Sequence, residues 1–241
     1  MLSSRFLDKE RATQERWFRM KLHQKFGGQV KSVFLFRIHR RLGKEFRIKE
    51  KAINAAIETI VKQYRNTNEE LFPATKKFFN IGLYFLLAER DIQALKADAF
   101  AHPNETKRNI ALRALLLTVY EWDMGKVTGR RMNFIYETTG LSEKNKKAVV
   151  DSLKELKKAR KQVEKKLSET RHNTIAHRDA DAMRQYQIIS DLEVMGFAPV
   201  LTEFYAASDK LLKAMISALY EIGTMESLFH QIVNREQRPN Q

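Results

Sequence analysis

Apolar residues recur along almost the whole chain at spacings of three and four, the pattern of helices that each bury one face. A charged first helix is expected over Ser4–Phe26, with Phe6, Trp17, Phe18, Leu22 and Phe26 as its apolar positions and Gly27-Gly28 as its stop. A second is expected over Val30–Gly43 and a third over Arg47–Gln63, where Ile53, Ile57, Ile60 and Val61 recur at helical spacing. Past a break at Phe72-Pro73, Lys76–Ala99 is apolar nearly all round in its middle, which predicts a helix inside a bundle. Asn104, following His102-Pro103, predicts the N-cap of a helix running toward Lys126. Gly125, Gly129 and Gly140 set off a shorter helical piece containing Met132, Phe134, Ile135 and Tyr136. Ser142 predicts the cap of a long helix to Thr170, whose Val149, Leu153, Leu156, Val163 and Leu167 form a heptad seam. Met183–Val194 is a short segment stopped by Gly196-Phe197-Ala198-Pro199, and Leu201–Gly223 is expected as the last helix.

Composition sharpens this picture. Nine Gly and four Pro among 241 residues leave little room for the turns of an all-β fold, so the fold class expected is all-α. Hydrophobic residues at 43% and charged residues at 30% describe a soluble globular chain, long enough for one large core. The absence of cysteine excludes disulfides, thiolate-held metals and thiol nucleophiles, and suits a reducing cytoplasm. The longest apolar runs, around Ile81–Ala88 and Leu115–Val119, fall far short of the roughly 20 residues of a membrane span, so no membrane is expected. No glycine-rich phosphate loop of a standard kind is visible.

Charge adds a partner class. The formal charge is +15, and residues 1–65 hold 17 Lys and Arg against 6 Asp and Glu. Such a field draws polyanions, with nucleic acid foremost. Phe34 and Phe36 alternate with Lys31, Arg37, Arg40 and Arg41, an interleaving suited to stacking bases and gripping phosphates. The simpler expectation for that stretch is a helix that buries its phenylalanines and leaves its arginines in water. The lysines of the long helix, from Lys144 to Lys166, suit a solvated face and a guide for a polyanion equally well.

The long helix leads into Arg171-His172-Asn173-Thr174-Ile175-Ala176-His177, followed by Arg178-Asp179. Arg171 is a permanent cation, and His172 and His177 carry protons near neutral pH, which are the groups that breaking a phosphodiester without a metal requires. As metal ligands the two histidines are poorly placed, because five residues turn a helix by about 140° from the starting face. As structural residues, Arg171 would pair with a carboxylate and His177 would hydrogen-bond a carbonyl at a bend. For catalysis the spacing is awkward too: Arg171 and His177 lie about 120° apart on an ideal helix. Either the helix ends or bends near Ala176, or a second copy of the chain contributes.

This string resembles the Arg-x(4–6)-His motif of the HEPN superfamily, particularly its abortive-infection and toxin branches. His172 stands at the polar position, Ile175-Ala176 precede the histidine and Arg178-Asp179 follow it. The resemblance implies a helical bundle with a long antiparallel helix pair, in which residues 29–235 form the HEPN-like domain, 1–28 a basic N-terminal helix or arm and 236–241 a frayed tail. It implies a homodimer whose facing motifs line one composite cleft, and an isologous dimer is the commonest oligomer. It also implies an RNA substrate cleaved without metal or cofactor by attack of its own 2′-hydroxyl. Arg171 would then hold the phosphoryl charge, His177 would transfer the proton and His172 would position phosphate, water or the other histidine. A partner such as an antitoxin would restrain the activity in the cytoplasm. Glu121 or Asp123 would orient a motif side chain in some branches, against the simpler expectation of a solvated or ion-paired acid. The alternatives are a HEPN-like module that binds RNA or protein without cleaving, and a purely structural helical adaptor.

Overall fold

The computed structural model describes residues 11–129, 131–170, 181–190, 192 and 194–236. Among them the chain is all-α, with no strand. The helices are α1 (Arg11–Asn66), α2 (Pro73–Ala101), α3 (Glu105–Glu121), α4 (Arg131–Thr139), α5 (Glu143–Thr170), α6 (Ala182–Ser190), α7 (Val194–Ile222) and α8 (Met225–Glu236). None of the helices described is long and apolar enough to cross a membrane.

The helix that is apolar nearly all round, α2, sits at the centre and touches α1, α3, α4 and α7. Its Phe78, Phe85 and Ile92 are fully buried. Phe85 meets the Trp122 ring at 5.5 Å, and Trp122 meets Phe204 of α7 at 5.6 Å, so one aromatic stack joins α2, the end of α3 and α7. Burying each such side chain contributes about 2–3 kcal/mol. Asn104 caps α3 as expected, its side chain accepting from the Lys107 N–H at 3.0 Å.

The heptad helix α5 packs along α7, and three contacts set their direction. Ser142 at the start of α5 meets Glu221 near the end of α7, Glu155 pairs with Lys210 at 2.6 Å, and Lys166 donates to the Gly196 carbonyl. Rising numbers on one helix meet falling numbers on the other: the long pair is antiparallel. Val149, Leu156, Val163 and Leu167 are buried in its seam, with Leu153 half-buried, as the spacing anticipates. The turn between α4 and α5 needs glycine at one point. Gly140 has φ +65°, and a Cβ there would stand 2.9 Å from Nδ1 of His230 on α8.

Three expectations about helix ends are corrected. Gly27-Gly28 and Gly43 stop nothing: α1 runs through them for 56 residues. A glycine in a helix costs about 1 kcal/mol, which the surrounding Arg, Lys, Leu and Gln carry. Gly196–Pro199 do not precede the last long helix but open it, Pro199 lying in its early turns, and α8 follows where no element was expected. In the other direction, α3 ends at Glu121, short of Lys126, because the Asp123 side chain accepts from the Gly125 N–H at 2.9 Å and closes a 3-10 turn over Met124–Lys126. The first ten residues of the N-terminal arm and the tail beyond 236 lie outside the described residues.

Candidate functional site

Arg171, His172 and His177 lie outside the described residues, as do Arg178 and Asp179. What is described is the frame on either side. On the approach, Leu167 is buried in the α5–α7 seam, and Lys166 binds the Gly196 carbonyl with its ammonium 5.5 Å from the Phe197 ring centre. These contacts fasten the last turns of α5 to the start of α7. On the far side Asp181 caps α6, its carboxylate accepting from the N–H groups of Met183 and Arg184 at 3.0 Å each. In sequence the motif lies between the end of α5, which is fastened to α7, and the capped start of α6.

Asp123 is engaged within its own neighbourhood. Besides capping the 3-10 turn, it lies 3.8 Å from Arg160, whose guanidinium also reaches Glu164 at 3.2 Å and the Tyr120 carbonyl. This is the ion-paired acid of the simpler expectation. The lysine face of α5 is solvated: Lys144, Lys147, Lys154, Lys157, Lys158, Lys161, Lys165 and Lys166 are exposed. Among the described residues no group of three or more His, Asp or Glu side chains is placed to hold a metal ion.

One feature escaped the sequence pattern, and a second decides between the two expectations for α1. The first is a buried polar cluster between α2 and α7. Glu89, 4% exposed, accepts from Gln93 Nε2 at 2.8 Å and from Ser208 Oγ at 2.6 Å. Lys96 stands 4.6 Å from the Tyr205 ring centre. Burial, and after it Lys49, lowers the Lys96 pKa against the raising effects of Glu45 and Glu89, while burial and then Glu89 push the Tyr205 phenol up. The signal was present: Glu89 sits four residues after Phe85 and three after Leu86, on the buried stripe of α2.

The second is the outward face of α1. Phe34 and Phe36 are 61% and 54% exposed and Val33 is 54%, so the expectation that this stretch buries its phenylalanines is overturned. Its packed face is instead Leu35, Ile38, His39, Leu42 and Phe46, all half-buried. His39 Nε2 meets Asp98 Oδ1 at 2.6 Å, and the His39 ring packs edge-on to His102 at 5.4 Å, fixing this part of α1 to the end of α2. Val33, Phe36, Arg37, Arg40, Arg41, Lys44 and Arg47 line a groove on the opposite side. Every cation in it is exposed, and of these only Arg41 has an ion-pair partner among the described residues, Glu45 at 3.3 Å.

Comparison with known proteins finds no matching family model, no matching curated protein and no matching solved structure.

Proposed function

We propose that the chain is a metal-independent endoribonuclease of HEPN type, active as a homodimer in the cytoplasm as a toxin or in phage defence and restrained by a partner. The observation that carries this reading is the string Arg171-His172-Asn173-Thr174-Ile175-Ala176-His177-Arg178-Asp179. The all-α architecture and the antiparallel α5–α7 pair support it, because the string follows directly on the first member of that pair. The charge of +15 supports a polyanionic substrate.

In this mechanism the substrate 2′-hydroxyl attacks the adjacent phosphorus and the 5′-oxygen leaves. His177 takes the hydroxyl proton or protonates the leaving oxygen, a task matched by an imidazole that titrates near neutrality. Arg171 offers its planar fork of donors to the phosphoryl oxygens as their charge grows. His172 positions phosphate, water or the facing histidine. The products are a 2′,3′-cyclic phosphate and a 5′-hydroxyl, and DNA, lacking the nucleophile, is spared.

The test is incubation of the pure protein with RNA in excess chelator. Cleavage to cyclic-phosphate ends, lost in both Arg171→Ala and His177→Ala with the helical circular dichroism unchanged, is the expected result. Cleavage that survives both substitutions, or that requires an added divalent metal, overturns the proposal.

A further inference from the structure

We infer that the outward face of α1 between Val33 and Arg47 is a docking groove for single-stranded RNA, separate from the motif that would cut it. That the strand is RNA rests on the function proposed above; the groove itself rests on geometry. At 100° per residue Val33, Arg37, Arg40, Lys44 and Arg47 share one stripe, about 21 Å long, with Phe36 along one edge and Phe34 and Arg41 along the other. No carboxylate lines it. Four of its five cations have no ion-pair partner among the described residues, and both aromatic rings are more than half exposed.

The chemistry of that arrangement selects its occupant. A row of guanidinium groups tracks phosphates, and solvent-facing phenyl rings within reach of the row offer platforms for unpaired bases. Base stacking favours a single strand over a duplex, whose bases are already stacked. An anionic membrane is the other surface that attracts arginine. An interfacial helix, however, keeps its apolar side chains on one face and its charges on the other. Here the apolar face, Leu35, Ile38, Leu42 and Phe46, is packed against the protein, and Val33 and the phenylalanines are interspersed among the charges. Between Val33 and Arg47 lipid would meet cations among all the apolar residues, and the exposed Phe26 and Val30 extend the apolar surface only toward the N-terminus, away from the cations of the groove.

The experiment measures binding of the full-length chain to a fluorescent 20-nucleotide oligouridine with 2′-O-methyl groups, which 2′-hydroxyl attack cannot cleave, across a salt titration. The triple variant R37A/R40A/R47A should bind at least tenfold more weakly and lower the slope of log Kd against log salt by about 2, at about 0.7 per cation lost. Phe36→Ala should weaken binding about tenfold with little change in slope. A matched variant on the α5 lysine face, K144A/K147A/K154A, should change affinity less than threefold. Equal losses from the α1 and α5 triples would mean a diffuse positive field and overturn the groove. So would phosphatidylserine vesicles that capture the chain through these α1 residues while oligouridine binding is untouched. The nuclease reading fails separately: absent cleavage of ordinary RNA with α1-dependent binding intact removes the chemistry and leaves the groove.

Discussion

Leu167 is the last seam residue of α5 before the motif, and its truncation tests whether the contacts between α5 and α7 position the motif. The side chain is 1% exposed, so Leu167→Ala removes three carbons from a filled site and leaves a cavity. Such changes cost about 2–5 kcal/mol. At about 3 kcal/mol, a chain of this size should melt roughly 6–12 °C lower. Leu153, one face of the same seam but half-buried, should lose about half as much on truncation, and exposed Lys157→Ala should stay within about 0.5 kcal/mol. Thermal melts by circular dichroism rank the three. A second readout ties the packing to the proposed chemistry. Leu156→Ala, buried mid-helix and equally costly to stability, should leave more of the RNA cleavage than Leu167→Ala, assayed well below either melting point. A Leu167→Ala protein as stable as the parent would refute the packed α5–α7 seam at this end. Equal cleavage by the two truncations would refute the idea that the last turn of α5 positions the motif.

Two further outcomes follow from the turn between α4 and α5 and its neighbours. Gly140→Ala places a Cβ on a φ of +65° and 2.9 Å from the His230 ring, so it should cost about 1–2 kcal/mol in urea unfolding, and adding His230→Ala should recover part of that loss but not all. At Glu221, burial pushes the carboxyl pKa up, but the Ser142 N–H, the Asn145 amide and the Ser142 hydroxyl outweigh it and hold the pKa below the usual carboxylate range. A depressed pKa stabilises the fold above the unfolded value near 4.3 and ceases to do so as pH falls through the folded value. Glu221→Gln should therefore destabilise at pH 7, by less than about 1 kcal/mol because the site is largely solvated, and this difference should shrink once pH falls below the unfolded value and vanish below the folded one. A difference that persists unchanged at pH 3 would mean that the carboxylate charge is not what holds the start of α5.

Helix type, the identity of the central helix and the Asn104 cap were legible in the residues alone, because each rests on local chemistry. The spacing of Val149, Leu156, Val163 and Leu167 declares a buried seam, and Asn104 declares a cap whatever lies around it. Punctuation was less legible. Gly27-Gly28, Gly43 and Pro199 weaken a helix by amounts that neighbouring residues offset, so whether they end it is decided by the sum over many positions. The phenylalanines of α1 illustrate a different difficulty: two apolar faces competed for one neighbour, and Leu35, Ile38, Leu42 and Phe46 took it. No count of arginines reveals which face that is. The reading of Arg171, His172 and His177 rests on the sequence, while the structure describes the helix ends that flank them.

The 56 residues of α1 give it a length of about 84 Å at 1.5 Å per residue, nearly twice the roughly 45 Å diameter of a compact sphere built from 241 residues. A particle with such a rod along it drags more solvent than its mass suggests. On a sizing column a lone chain would elute early and pass for two. The subunit count that the proposed chemistry depends on should accordingly be taken from light scattering or sedimentation equilibrium, which weigh the particle without regard to its friction.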